Sequence, residues 1–240
     1  MDHMLGLQKC LEGKPEVCFC TLSLSRGVLD AATRVCYLLD PVITLEVRLL
    51  RGAALLLDSS EEEMTAVKDL PPHDAPMPSA QKVVASIHAN VQGWIALAGM
   101  DLRSGPRNRP TGIAWDSSSK AVPLKVNVSS ESGKYFPDVP AAYRMASGAA
   151  HSLPWMLHDP DDRPSSVFMA QAATLAAMQG CIKIGQRYAE YYGHDFSRDE
   201  KLGLLRCKAI TLATYDYVQA GNNSLGRYVS DPRLQQPPTS

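Results

Sequence analysis

Cysteine and histidine are the residues of this chain whose chemistry could support a metal site. Four of the six cysteines lie in the first 36 residues, and the two others are Cys181 and Cys207. Zinc sites commonly use ligand pairs with two to four residues between them and a second pair downstream. Cys18 and Cys20 are separated by one residue, and no histidine pair follows them. The spacing therefore predicts reduced structural thiols, without a metal or a cofactor.

Two further groupings have residue types that can carry out hydrolysis. His158 is followed by three aspartates within four residues, and a carboxylate can position a histidine as a general base. Cys181 or Cys207 could be a nucleophile with His194 as its base. Prolines around the first grouping favour an exposed turn. The apolar neighbours of both cysteines favour buried, unreactive thiols.

The common motifs of catalysis and nucleotide binding are absent from the sequence. There is no phosphate-binding loop, dinucleotide-binding glycine motif, serine-hydrolase elbow or zinc-protease motif. The sequence therefore predicts that the protein is not an enzyme. A small intracellular enzyme with an unrecognised His, Cys and Asp site is the alternative.

A carboxylate on a predicted C-terminal helix is the most informative residue of the sequence. On a helix, Asp216 lies beside the apolar face that contains Leu205 and Leu212. A carboxylate next to a buried face is costly unless a cation pairs with it. Lys183 and Arg187 lie four residues apart on one face of the preceding predicted helix. The pattern predicts a buried ion pair between the two helices.

The residues around this aspartate resemble the C-terminal core motif of coat proteins from flexuous filamentous RNA viruses, the potexvirus- and potyvirus-like group. Leu205-Arg206 precedes Tyr215-Asp216-Tyr217, where the family has Asn-Leu-Arg, a helix and Ala-Phe-Asp-Phe. The resemblance covers about residues 165–235, in which Gly226-Arg227 and Asp231-Pro232-Arg233 correspond loosely to the family's C-terminal tail. Tyrosines replace the phenylalanines, and Thr214 replaces the usual alanine or tyrosine. A diverged coat protein of a fungal virus would have such a sequence.

The resemblance implies that an arginine pairs with the motif aspartate beside a pocket for one RNA nucleotide. Asp216 matches the aspartate, whereas the cation is Arg187, Lys183 or Arg163, and the sequence leaves these alternatives open. The candidate RNA-binding residues are charged side chains of the two C-terminal helices. They are Arg163, Lys183, Arg187, Arg206, Lys208 and Asp216.

The function implied by the resemblance is that of a structural coat or nucleocapsid protein. Such a protein forms a homo-oligomer, a flexuous helical filament, around single-stranded viral RNA without reading its sequence, in the virion and the host cytoplasm. A helical adaptor that binds no nucleic acid is a further alternative.

The distribution of charge favours a polyanion partner at the C-terminal end. Residues 1–100 hold eight basic and twelve acidic side chains, whereas residues 163–240 hold nine basic and six acidic ones. Coating an RNA backbone requires only a few lysines and arginines per subunit, so the net charge of −1 is compatible with RNA binding.

Hydrophobic periodicity predicts a mainly α protein, with a helical-bundle core, short β elements and extended N- and C-terminal arms. Helices are predicted at 28–39, 80–99, 140–150, 165–192 and 198–219, and strands at 42–49 and 122–128. Ser197 and Glu200 have the spacing of a capping box at the start of the last helix. No apolar run approaches the ~18 residues of a membrane helix, and no signal peptide is recognisable, so we expect a soluble intracellular protein.

Proline and charge divide the sequence into four predicted regions. Residues 1–57 form an N-terminal arm for assembly, 58–79 an acidic, proline-rich linker, 80–230 the helical core and 231–240 a flexible tail. The apolar segment 42–57 would be unusual as exposed surface on a monomer. We expect residues 1–57 to pack on a neighbouring subunit; the alternative is that they complete the core of their own subunit.

Overall fold

The computed structural model describes residues 18–68, 77–106, 109–137, 142–150 and 163–225, and the chain in these ranges is mainly α-helical. The helices are α1 Cys18–Leu38, α2 Leu45–Lys68, α3 Met77–Leu97, α4 Val128–Tyr135, α5 Ala142–Ala150, α6 Arg163–Tyr192 and α7 Ser197–Leu225. The strands are β1 Asp101–Ser104, β2 Pro110–Ala114 and β3 Val122–Pro123. These elements confirm the predicted class, a mainly α fold with short β elements.

The chain divides into two compact units. Tyr37–Asn127 form one, here called the central unit, and residues 1–36 with 128–240 form the other, called the terminal unit. The predicted boundaries at residues 57 and 79 fall inside α2 and α3. The predicted linker is therefore wrong for residues 58–68 and 77–79, which are helical. Residues 231–240, the predicted tail, lie outside the described residues.

The start of α2 corrects the prediction of a strand at 42–49. Thr44 caps the helix, because its Oγ1 accepts from the Val47 amide at 3.4 Å and its carbonyl accepts from the Arg48 amide at 3.0 Å. Arg51 also donates to the Tyr37 carbonyl at 2.5 Å and lies 3.9 Å from that tyrosine's ring centroid. The alternating pattern predicted a strand, but these contacts at the start of α2 favour a helix.

Helices α2 and α3 form an antiparallel pair around the core of the central unit. Leu50, Leu57, Val91 and Ile95 are buried in one cluster. Towards the other end of the pair, Ser60 Oγ lies 2.9 Å from His88 Nδ1. Burial of the two leucines in their own chain supports the alternative in which this part of segment 42–57 completes its own core.

A three-stranded antiparallel sheet in the order β1-β2-β3 completes the central unit. Its register pairs Asp101 with Ala114 and Ile113 with Val122, and Ile113 and Val122 belong to the same core cluster as Leu57. A Cβ at Gly112 would lie 2.8 Å from the Val122 carbonyl oxygen, so the close approach of β2 and β3 requires glycine. Strands β1 and β2 were missed. The predicted strand at 122–128 is limited to Val122–Pro123, and Val128 begins α4.

In the terminal unit, α1 packs on α6 through small side chains. Val28 and Ala177 are buried together, with Leu24 and Cys181 against them. A Cβ at Gly180 would lie 3.2 Å from the Ala32 Cβ, so small residues allow the two helices to come close.

Helices α6 and α7 form a second antiparallel pair, joined by a turn at Gly193 whose φ is 70°. The predicted capping box is not formed as expected, because the Ser197 amide donates to Asp195 Oδ1 at 2.9 Å. Helix α7 continues to Leu225, past its predicted end at 219. Glycine and asparagine near residue 221 lower helix propensity but do not block backbone hydrogen bonds as proline does.

None of the helices within the described ranges combines the length and the apolar character needed to cross a membrane.

Candidate nucleic-acid interface

Two side-chain contacts define the register between α6 and α7. Gln186 Nε2 donates to Glu200 Oε1 at 2.5 Å. A Cβ built on Gly203 would lie 2.8 Å from Ile182 Cδ1. Because the helices are antiparallel, positions further along α7 lie opposite positions further back along α6.

This register separates Asp216 from two of its predicted partners. Asp216 lies 16 residues beyond Glu200 on the same helix, which is about 24 Å along the axis. Arg187 follows Gln186 and so lies level with the first turn of α7, while Lys183 lies next to Ile182. Neither cation can reach Asp216 of the same chain, so that pairing is corrected. The side chains of Asp216 and Arg163 lie outside the described residues, and their pairing stays a prediction.

Arg187 is occupied by a neighbour on its own helix. Its Nη1 donates to Glu190 Oε2 at 2.7 Å, and its side chain is only 20 % exposed. An arginine that is paired and mostly covered has little capacity left for a phosphate. The structure therefore gives Arg187 a local structural contact, whereas Arg206 and Lys208 are exposed on α7.

A row of exposed basic and apolar residues runs along the outward side of α7. Its members are Arg198, Lys201, Leu205, Lys208 and Leu212, spaced by three or four residues so that they share one face. All five side chains are exposed, and the three basic ones make no ion pair among the described residues. This basic row places three positive charges and no acid on one helical face, which is the electrostatic footprint of a polyanion site.

The sequence reasoning identified Lys208 but missed Arg198 and Lys201. The i, i+3, i+7, i+10 spacing from Arg198 to Lys208 was available in the sequence. Asp199 and Glu200 separate Arg198 from Lys201 along the chain and hide this spacing. Glu200 is turned towards Gln186 of α6, so this glutamate and the basic row lie on different sides of α7.

An aromatic cluster lies at the same end of the α6–α7 pair as Arg198. The ring centroids of Tyr188 and Tyr192 are 4.5 Å apart, and those of Tyr191 and Tyr192 are 5.0 Å apart. His194 stacks on Tyr192 at 6.3 Å. All four rings are exposed, and their faces are of the kind on which unpaired bases stack. A hydrogen bond with Tyr188 raises the pKa of the Tyr192 hydroxyl.

The proposed cysteine nucleophiles lie in unreactive surroundings. Burial raises the pKa of both the Cys181 and the Cys207 thiol, so neither favours the thiolate form that attacks a substrate. Cys181 lies 13 residues before His194, about 20 Å along the helix at 1.5 Å per residue. The described residues contain no group of histidines, cysteines and carboxylates that could hold a metal ion. His158 lies outside the described residues.

Comparison of the chain with models of protein families finds no match, and neither do comparisons with curated proteins and with solved structures.

Proposed function

We propose that this protein is a coat or nucleocapsid subunit that polymerises into a flexuous helical filament around single-stranded RNA, in the virion and in the host cytoplasm. The observation that carries this proposal is the basic row on α7, which lies on the same helix as the Tyr215-Asp216-Tyr217 motif. Three exposed basic side chains on one helical face suit a phosphate backbone, which any RNA sequence presents equally.

The chemistry of the row accounts for binding without sequence specificity. Arg198, Lys201 and Lys208 neutralise phosphates and release counterions, which makes affinity depend on salt. The tyrosine cluster at the end of α6 supplies rings for base stacking, which tolerates every base. Two of the nearby acids are already engaged: Glu190 pairs with Arg187, and Glu200 accepts from Gln186.

Exposed leucines on α7 support polymerisation. Leu202 and Leu204 lie outside the basic row and are about half exposed. Apolar side chains concentrated on one exposed helix commonly mark a contact surface. A neighbouring subunit related by a rotation and a rise would cover such a surface repeatedly, and an open helical polymer results.

RNA binding is tested with fluorescently labelled homopolymeric RNA, at salt concentrations between about 50 and 200 mM. The double variant Lys201→Gln/Lys208→Gln should bind more weakly than the wild type. Its slope of log affinity against log salt should be shallower by about 1.4, because each lost phosphate contact removes about 0.7. Arg109→Gln/Lys120→Gln is the matched control, since both residues are exposed bases of the central unit.

Equal losses in the two double variants would contradict a binding site on α7. Polymerisation is tested separately by electron microscopy of the purified protein, with and without RNase treatment. Filaments that shorten or disappear after RNase treatment are expected. Particles of uniform small size, with no RNA extracted from them, would contradict the coat-protein proposal and favour the adaptor.

A further inference from the structure

A row of large apolar side chains on α3 faces solvent. Val83 is 58 % exposed, Ile87 43 %, Trp94 61 % and Leu97 88 %. With exposed Asn90 between them, the spacing is four, three, four and three residues, as in the contact row of a coiled coil. The core side of the same helix is different, because it holds buried Val91 and Ile95. Helix α3 therefore has two apolar faces, and the described central unit covers one.

Along α3 itself, this row is flanked by almost no charge. Between Met77 and Met100, Lys82 is the only lysine, arginine, aspartate or glutamate. The two ring nitrogens of His88 lie 2.9 Å from Ser60 Oγ and from Gln92 Nε2, so the ring makes its contacts within the α2–α3 pair. Charged side chains are depleted at the centres of protein interfaces, and tryptophan is enriched there. A helix face with this composition is suited to contact with protein.

Helix α2 extends the row into a wider face. Leu49 and Leu56 of α2 are exposed, and each directly precedes a buried leucine. On α3, Ile87 and Trp94 likewise directly precede residues that face α2 or the core, His88 and Ile95. In an antiparallel helix pair, the residues that directly precede the buried positions lie on the same side of both helices. The two rows therefore lie on one side of the α2–α3 pair.

The area of this surface matches that of a stable interface. The members of the apolar face are Leu45, Leu49, Leu56, Val83, Ile87, Trp94 and Leu97. Their exposed surface is on the order of 800 Å², close to the area that each partner buries in a standard-size interface.

We propose that the apolar face binds a second copy of this chain, in a two-fold contact that pairs α3 with α3 in antiparallel orientation. Val83 and Leu97 lie seven residues on either side of Asn90, and Ile87 and Trp94 lie three and four residues from it, so the spacing is nearly the same in both chain directions. A self-complementary surface is what a two-fold contact requires. Antiparallel pairing also places large Trp94 opposite smaller Ile87, whereas parallel pairing would bring two tryptophans together.

Asn90 has a defined position in this dimer. It lies at the two-fold axis, where its side-chain amide meets the same amide of the second copy. An amide has both donors and an acceptor, so the two can hydrogen-bond to each other in the middle of an apolar contact. Any other antiparallel register leaves this amide against apolar side chains, which is unfavourable.

The dimer goes beyond the proposed function and does not depend on it. It forms from RNA-free protein, through the central unit, whereas the proposed RNA contacts lie on α7 of the terminal unit. Failure of RNA binding therefore leaves the dimer untouched, and the reverse also holds.

The test uses sedimentation equilibrium of the full-length, RNA-free protein. The wild type should be a dimer, and Leu97→Glu should raise its dissociation constant at least tenfold without changing the circular dichroism spectrum. Leu97 suits this substitution because it is 88 % exposed. Ala85→Glu is the control, because it introduces the same charge at an exposed position of α3 on the other side of the helix from Val83, and it should remain dimeric. A monomeric wild type, or equal effects of the two substitutions, would overturn the proposal.

Orientation is tested by cysteine cross-linking under mild oxidation, with the wild type as the background for native thiols. Asn90→Cys should form a covalent dimer efficiently. Val83→Cys alone should not, whereas a mixture of Val83→Cys and Leu97→Cys chains should cross-link. Efficient cross-linking of Val83→Cys by itself would show parallel pairing and overturn the antiparallel arrangement.

Discussion

Gly203 of α7 lies directly against Ile182 of α6: a Cβ at position 203 would come within 2.8 Å of Ile182 Cδ1 and 2.9 Å of its Cγ1. A hydrogen atom is therefore the largest substituent that this contact accepts without movement. The contact also helps to define the register that places Arg198, Lys201 and Lys208 on the outward side of α7.

Gly203→Ala should destabilise the protein. Overpacking against Ile182 costs about 1–3 kcal/mol, and the better helix propensity of alanine returns at most about 1 kcal/mol. The matched control is Gly133→Ala in α4, where an added Cβ would have no atom within 4 Å. That change should stabilise the protein by about 0.5–1 kcal/mol. Urea unfolding of both variants measures the difference, and stabilisation by Gly203→Ala would contradict the close contact.

Removing the charge of Arg187 should affect RNA binding less than removing that of Lys208. Arg187 pairs with Glu190 and is mostly covered, whereas Lys208 is exposed in the basic row. Arg187→Gln should leave affinity within about twofold of the wild type, because it removes no phosphate contact. Lys208→Gln should weaken binding and reduce the salt slope by about 0.7. Titration with labelled RNA measures both affinities. A larger loss for Arg187→Gln than for Lys208→Gln would place the binding site on α6.

Leu57→Ala should destabilise the protein by about 2–5 kcal/mol, since it leaves a cavity in a close-packed core. Leu57 is fully buried, and it packs within its own chain against the cluster that contains Val91 and Ile95. Its neighbour Leu56 is exposed, so Leu56→Ala should change stability by less than about 0.5 kcal/mol. Chemical unfolding at low protein concentration measures both values. Similar small effects would mean that this part of α2 packs on another subunit.

The ion pair between Lys125 and Glu62 should give a pH-dependent contribution to stability. Lys125 Nζ lies 2.8 Å from Glu62 Oε1; the hydrogen bond with Lys125 lowers the pKa of Glu62, and the one with Glu62 raises the pKa of Lys125. The glutamate contribution is present above its ordinary pKa of 4.5 and disappears as pH falls through its lower folded value. The lysine contribution is present below 10.5 and disappears as pH rises through its higher folded value.

Glu62→Gln should therefore lower the melting temperature slightly at neutral pH, with a small effect because both side chains are well exposed. The two proteins should converge in strong acid, where the wild-type carboxylate is protonated. Glu63→Gln is the matched control, because Glu63 is exposed and makes no ion pair among the described residues. A difference between wild type and Glu62→Gln that persists unchanged in strong acid would contradict the pair.

The long helices and their turn residues were predictable because their signals are local. Apolar spacing predicted α3, α6 and most of α7, and Gly99 and Gly193 were correctly identified as the residues where helices end. Both glycines have a positive φ, 72° and 70°, which other residues rarely adopt. Spacing and backbone preference act over a few residues, so a single sequence contains this information.

Tertiary structure decided what each helix face contacts. The segment that begins α2 alternates like a strand, yet it is helical because Thr44 caps it and Leu50 and Leu57 pack on distant α3. Likewise, Arg187 was expected to reach Asp216, but the Gln186–Glu200 contact sets a register that separates them. The periodicity of one helix determines which residues share a face. Only the packing of elements far apart in sequence determines which face is buried, which cation is already paired and which row of bases remains exposed.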